Sequence, residues 1–137
     1  LRRQRQMCIR DSCTTSTHDM TPLRNWWKED PEKTQRYYNH VLQRIGEAPD
    51  ECTAEIVAQI ISNHLKTRSM LTIIPLQDWF AMDDSIKRKD IESERINVPA
   101  NSTHYWRYRM HITLEQLLQA DNLNNKIVSL IKEAGRK

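Results

Sequence analysis

The sequence predicts an α/β protein with parallel strands that is part of a larger domain. Two segments rich in β-branched residues, about 12–17 and 70–75, predict strands. Between them lie two segments with apolar residues at helical spacing, which is typical of a crossover between parallel strands. Two strands cannot close a sheet, and an α/β barrel typically takes about 250 residues, whereas this chain has 137. It begins inside a strand and ends after a capped helix, so we expect the C-terminal part of that domain.

The first long helix is predicted to begin after Asp30 and to end at Gly46. Asp30 is a good N-cap, and Pro31 suits the first helical turn. Glycine commonly ends helices because it tolerates the left-handed conformation. The predicted apolar stripe consists of Tyr37, Tyr38, Val41, Leu42 and Ile45.

A second helix is predicted after Thr53, followed by a buried parallel strand at 70–75. The apolar face of this helix consists of Ile56, Val57, Ile60, Ile61 and Leu65. The strand segment MLTIIP is a short apolar run, which is typical of parallel strands with both faces covered. Residues 76–84 read as a short helix or a loop.

Residues 84–104 are polar and irregular, and two short helices are predicted after them. The first covers about 113–120. The second follows Asp121 as its N-cap and stops at Gly135. Its inward residues are expected to be Leu123, Ile127, Leu130 and Ile131.

The net charge of +3 is concentrated in the first twelve residues. Residues 1–12 hold four arginines against one aspartate, and residues 13–137 hold 17 basic and 17 acidic side chains. The string MCIRDS matches the translation of a transposon-end sequencing adapter. We therefore predict that residues 1–12 are a non-native, adapter-derived segment, and that the protein proper is residues 13–137. A nucleic-acid-binding domain would depend on this basic head, so we do not expect nucleic acid as a partner.

Cysteine usage and hydropathy predict a cytoplasmic protein without a membrane partner. Cys8, Cys13 and Cys52 are odd in number and lack CxxC spacing, so we expect reduced thiols. No apolar run reaches the roughly 18 residues that a transmembrane helix needs. The histidines lack the spacing of metal ligands, so neither a metal nor another cofactor is expected.

Four motifs, in order, resemble the 4-alpha-glucanotransferases (amylomaltases, or disproportionating enzymes). They are TSTHDMTPLRNWW at 15–27, the Pro-x-Gln-Asp element within IIPLQDWF at 73–80, Arg-x-Asn-x-Pro at 95–99, and WRYR at 106–109. The resemblance covers about residues 13–111. It implies the C-terminal part of a (β/α)8 TIM-type barrel, namely its last two strands with their helices, incomplete as it stands.

The resemblance implies an enzyme that transfers alpha-1,4-glucan segments from a glucan or maltooligosaccharide donor to an acceptor sugar. Retaining transfer uses a double displacement with a nucleophile and an acid/base. Asp19 would be the family's third carboxylate, which grips the sugar at the cleavage site. His18 would donate a hydrogen bond to the same sugar, and Asn97 would line the pocket at the neighbouring one. No segment here matches the nucleophile or the acid/base, so we expect this polypeptide alone to be inactive.

Each of these residues also has a structural interpretation. His18 and Asp19 could cap a helix after the strand, and Asn97 could be an ordinary turn residue. For Gln77 and Asp78 a structural role is favoured over substrate contact, namely connecting the strand end to the loop. Trp26, Trp27, Trp79 and Trp106 could stack on sugars, although single aromatics more often pack in cores.

Asn25 stands where the family usually has glycine, and asparagine tolerates positive φ better than most residues.

A different class of function also stays open. A helical protein-interaction module without enzymatic activity would suit the many helices, but not the long 84–104 loop.

Overall fold

The computed structural model describes residues 11–136, which contain two strands, six α-helices and one 3-10 turn. The elements in chain order are β1 (Ser12–Thr14), α1 (Leu23–Glu29), α2 (Pro31–His40), α3 (Ala54–Leu65), β2 (Leu71–Ile73), α4 (Leu76–Phe80), the 3-10 turn Glu92–Glu94, α5 (Leu114–Leu118) and α6 (Asp121–Glu133). The predicted adapter segment lies mostly outside the described residues, and so does Cys8. That the segment is non-native stays a prediction.

The two strands form a parallel pair, as the sequence predicted. Cys13 lies opposite Thr72, with Ser12 opposite Leu71 and Thr14 opposite Ile73. The strand at 70–75 was expected to be buried, but Leu71 is 51% exposed and Ile73 is 58% exposed. Within the described part of the chain, β2 has β1 as its only neighbouring strand. The other edge of β2 and one of its faces are therefore uncovered.

Helix α3 forms the centre of the core. Thr53 caps it by accepting a hydrogen bond from the Ile56 amide at 3.3 Å, as predicted. Val57 and Ile61 are both fully buried. The five predicted apolar residues of this helix all belong to a core cluster that also contains Trp27, Phe80 and Leu123.

Helix α2 begins as predicted but ends earlier. The Asp30 side chain accepts from the Lys33 amide at 3.1 Å, which confirms the N-cap. The helix ends at His40, and three residues later Gln43 adopts the left-handed conformation, with φ of 55°, which commonly ends helices. The Arg44 amide then donates to the Tyr38 carbonyl at 3.1 Å. The predicted stop at Gly46 is therefore wrong by six residues. Of the predicted apolar stripe, Ile45 is 98% exposed and Val41 is 51% exposed, so neither belongs to the buried part.

Helix α1 was not predicted, and it corrects the expectation for Asn25. The residue before it, Pro22, provides no side-chain cap. The Asp78 carboxylate, distant in sequence, takes this role by accepting from the Leu23 amide at 3.0 Å. Asn25 lies inside the helix, and the one non-glycine residue with positive φ between 11 and 136 is Gln43. Position 25 therefore does not require a left-handed conformation here.

The C-terminal region contains the two expected helices. Thr113 and Gln116 form a reciprocal capping box at the start of α5. In α6, Asp121 is the first helical residue and Ala120 takes the N-cap position, so the predicted cap at Asp121 is wrong by one residue. Leu123 is fully buried, and Gly135 ends the helix region with φ of 68°. Among the described residues, no helix has the length and apolarity needed to cross a membrane.

Candidate functional site

His18 and Asp19 lie in the loop that leaves the C-terminal end of β1. The Met20 amide donates to the Thr17 carbonyl at 3.0 Å, which closes a turn around the pair. In parallel α/β sheets, loops at the carboxyl ends of strands meet at one edge and carry the functional groups. Neither residue caps α1, whose N-cap is Pro22 without a side-chain hydrogen bond. The structural interpretation of this pair as a helix cap is therefore wrong.

The structure brings together the three residues that the sequence singled out. The Asn97 side-chain amide donates to Asp19 Oδ1 at 2.6 Å, across a separation of 78 positions. His18 Nε2 lies 3.4 Å from Asp19 Oδ2. The His18 and Asp19 side chains are 52% and 53% exposed, so both can still reach a ligand. We refer to His18, Asp19 and Asn97 as the His-Asp-Asn cluster.

Trp106 extends the His-Asp-Asn cluster with an aromatic surface. Its ring centroid lies 4.9 Å from that of His18, with the planes tilted by 47°, and the residue is 61% exposed. Trp27 is instead buried, and its Nε1 donates to the Pro49 carbonyl at 2.8 Å. Trp26 packs edge-on against Tyr37, and Trp79 packs partly buried against the core. Trp106 is thus the tryptophan whose ring packs against the His18 ring.

A cavity of about 340 Å³ opens beside the His-Asp-Asn cluster. Its walls come from β1 and the loop after it, from the end of β2 with the start of α4, and from the segment before Asn97. The lining residues include Thr14, Ser16, His18, Met20, Gln77 and Ile96. A mostly apolar wall with a few convergent polar groups is typical of small-molecule sites, and the volume lies at the small end of their range.

Asp78 fixes the loop that carries His18 and Asp19. This residue is 1% exposed. Its Oδ2 accepts from the Thr15 hydroxyl at 2.5 Å and its Oδ1 from the Leu23 amide at 3.0 Å. One carboxylate therefore holds both ends of the loop. Burial raises its pKa, and the hydrogen bonds from Thr15 and Leu23 oppose that shift. These contacts support the structural interpretation of Asp78.

A buried ion pair joins α1 to the 3-10 turn that precedes Asn97. Arg24 in α1 lies 3.3 Å from Glu94, and their side chains are 7% and 3% exposed. The Arg24 guanidinium also donates to the Arg88 carbonyl at 2.7 Å. Burial raises the pKa of Glu94 to about 7, while Arg24 acts in the opposite direction. The sequence offered only a weak signal, since a charged residue such as Glu94 in a polar segment ordinarily indicates a solvated surface.

Two further contacts connect the same segments. The Asn25 amide donates to Glu92 at 3.0 Å, and the Gln77 amide donates to the Glu94 backbone carbonyl at 3.2 Å. Sequence reasoning did not identify this network, because its members lie on three separate elements. Within residues 11–136, no group of three or more histidine, cysteine or acidic side chains is arranged to hold a metal ion.

The family model described as 4-alpha-glucanotransferase matches residues 4–115. The chain is 39% identical over 124 residues to the 4-alpha-glucanotransferase DPE2 of rice, covering 90% of this chain and 13% of that protein. It is 30% identical over 118 residues to the 4-alpha-glucanotransferase of Chlamydia trachomatis, covering 84% of this chain and 21% of the relative.

A similar fold occurs in the amylomaltase from Streptococcus agalactiae, whose structure was solved in complex with acarbose. The TM-score is 0.66 at 18% identity, over 91% of this chain and 22% of that one. The chain thus spans about an eighth to a fifth of the length of these relatives. Since the family model covers most of the sequence, the chain belongs to the 4-alpha-glucanotransferase family.

Proposed function

We propose that this chain is part of a retaining 4-alpha-glucanotransferase and supplies the carboxylate that holds the sugar at the cleavage site. The observation that carries the proposal is the 2.6 Å hydrogen bond between Asn97 and Asp19. Two residues from separate loops meet there, beside a cavity and an exposed aromatic ring. We call the longer enzyme of which this chain would be a part the parent enzyme.

In this mechanism, Asp19 accepts hydrogen bonds from sugar hydroxyls at the cleavage site. Charge-assisted hydrogen bonds of this kind favour catalysis when they strengthen as the ring distorts toward the oxocarbenium-like transition state. Asn97 orients the Asp19 carboxylate by donating its side-chain Nδ2 to one carboxylate oxygen, and its side-chain Oδ1 accepts from the neighbouring sugar. His18 donates to the same sugar as Asp19. The half-exposed side chains of His18 and Asp19 are compatible with these roles.

The double displacement requires two further carboxyl groups, which would come from other parts of the parent enzyme. In the proposed architecture, β1 and β2 are the last two strands of a (β/α)8 barrel, and further strands cover the exposed β2 residues. The exposure of Leu71 and Ile73 supports this arrangement. Residues 1–137 alone are therefore expected to catalyse no transfer.

The proposed partners are an alpha-1,4-glucan or maltooligosaccharide donor and a sugar acceptor, with no nucleic acid and no membrane. Support comes from the glucan chemistry named for the relatives and from the acarbose bound to the streptococcal amylomaltase. No metal or organic cofactor enters the mechanism. A cytoplasmic location is part of the same proposal, and the buried Cys52 thiol, whose pKa burial raises to about 12, suits a protein with reduced cysteines.

The test is the transfer rate of the parent enzyme carrying Asp19→Asn. This substitution keeps the size of the side chain and removes its charge, so we expect transfer between maltooligosaccharides to be abolished while the circular dichroism spectrum is unchanged. Asp50→Asn is the matched control, since Asp50 is exposed and does not line the cavity. A normal transfer rate in the Asp19 variant would refute the proposed role.

A further inference from the structure

Resting on the proposed function, we propose that Glu92 and Glu94 are positioning residues that hold Asn97 against Asp19. Both lie in the 3-10 turn that immediately precedes the Asn97 segment. Each binds a side chain of α1, the helix that immediately follows the loop of His18 and Asp19. The turn and the helix thus form a clamp between the two halves of the His-Asp-Asn cluster, which we call the α1 clamp.

The Glu94 half of the α1 clamp is buried and has several contacts. Glu94 accepts from the Arg24 guanidinium at 3.3 Å, and its backbone carbonyl accepts from the Gln77 side chain at 3.2 Å. A buried ion pair is weak evidence for stability, because desolvation offsets the attraction between the charges. Its directional hydrogen bonds do specify one arrangement of the two segments. The best physical account of this pair is therefore the geometry that it imposes.

The Glu92 half is exposed and rests on one hydrogen bond, from the Asn25 amide at 3.0 Å. Arg24 and Asn25 are adjacent in α1, so the two carboxylates of the turn bind neighbouring positions of the same helix. The chain then continues through Arg95, whose Nε donates to the Asn97 carbonyl at 3.2 Å. That contact fixes the Asn97 backbone relative to the turn.

The other half of the cluster is fixed to the same helix. Asp78 accepts from the first amide of α1 and from Thr15, so the loop with Asp19 has both ends held. Asp19 and Asn97 are thus each tied to α1 through short chain segments. Loss of the α1 clamp would leave their mutual hydrogen bond as an isolated, solvent-exposed contact, which water can replace at little cost.

The experiment is a double-mutant cycle on kcat/KM for transfer in the parent enzyme. We expect Glu92→Ala to lower kcat/KM about three- to tenfold, as for the loss of one ordinary hydrogen bond. We expect Glu94→Ala to lower it about 10- to 100-fold, because a misplacement of about 1 Å can cost that much. Glu94→Gln keeps an acceptor for Arg24 and should restore most of the loss.

The decisive measurement is kcat/KM for Glu92→Ala and Glu94→Ala when each is combined with Asn97→Ala. If the clamp acts through Asn97, each additional loss should shrink to within about twofold, since the interaction is already gone. If the glutamate substitutions lower kcat/KM by the same factor with and without Asn97→Ala, the inference is overturned and the glutamates have only a general structural role. Should Glu94→Ala fail to fold because it strands the Arg24 charge, Glu92→Ala alone decides the matter. Glu55→Gln, at the exposed Arg44–Glu55 pair, should leave kcat/KM unchanged.

The cycle also separates this inference from the proposed function. Normal kcat/KM in the Asn97→Ala variant would refute the proposed sugar-binding role of the cluster itself. A strong loss in Asn97→Ala together with normal kcat/KM in both glutamate variants would refute only the α1 clamp.

Discussion

Asp78 caps helix α1 from a distance, because its carboxylate accepts the Leu23 amide at 3.0 Å across 55 positions. The same carboxylate accepts the Thr15 hydroxyl. The loop that carries His18 and Asp19 is thereby fixed at both ends by a single buried residue. The fold positions this part of the candidate site through one side chain that belongs to neither β1 nor α1.

Replacing Asp78 by alanine should therefore destabilise the protein strongly. The change leaves the buried Leu23 amide and the partly buried Thr15 hydroxyl without their acceptor, and such losses add up to on the order of 3 kcal/mol in the free energy of unfolding. Asp78→Asn keeps one acceptor oxygen and should cost less. Urea unfolding of the parent enzyme, followed by tryptophan fluorescence, measures both. Equal stability of the alanine variant and wild type would contradict the capping role.

Because α2 ends at His40, Ile45 lies outside the helix and is exposed, and it can be compared with the buried Ile60 of α3. Ile60→Ala removes a side chain that is 1% exposed and should cost about 2–5 kcal/mol of unfolding free energy, as for large core truncations. Ile45→Ala changes a residue that is 98% exposed and should cost less than about 0.5 kcal/mol. Thermal unfolding of the two variants measures the difference. A large loss in Ile45→Ala would mean that Ile45 is buried, as the sequence predicted, and would contradict its exposed position.

The raised pKa of Glu94 predicts a defined dependence of stability on pH. Its pKa of about 7 in the folded protein exceeds the ordinary value of 4.5, so the folded state binds the proton more tightly than the unfolded state. The stabilisation from this proton is complete below about pH 4.5 and is lost as the pH rises through 7. Arg24, Arg88 and Asp78 are the charged neighbours that influence this group.

Glu94→Gln should flatten the stability profile between these two pH values, because glutamine does not titrate. Denaturant midpoints of wild type and variant at several pH values from 4.5 to 8 provide the measurement. Parallel profiles for the two proteins would show that Glu94 titrates normally. Glu47→Gln is a suitable control, since Glu47 is exposed and lies outside the helices and strands.

The parts of the fold that could be predicted are those set by local chemistry. Asp30 and Thr53 cap their helices as expected, and the apolar spacing of α3 identified the core correctly. Helix α1 was missed because its cap comes from Asp78, and the end of α2 was misplaced because Gln43 adopts a conformation that usually requires glycine. Both errors arose because the spacing of apolar residues does not reveal a long-range contact or the φ angle of a single residue.

The candidate site shows the same division. The motifs identified His18, Asp19 and Asn97, and the structure brings these three together. Whether they hold a sugar stays a prediction. The Arg24–Glu94 pair could not be predicted, because nothing local distinguishes a buried glutamate in a polar loop from a solvated one.

The most direct test of the account is a crystal structure of the parent enzyme with bound acarbose, the ligand found in the streptococcal amylomaltase. The measured quantity is the distance from the inhibitor's hydroxyl oxygens to the Asp19 carboxylate and to the Asn97 side chain. We predict that both residues lie within about 3.2 Å of the inhibitor. Acarbose bound with full occupancy elsewhere, with Asp19 and Asn97 contacting only each other, would contradict the account.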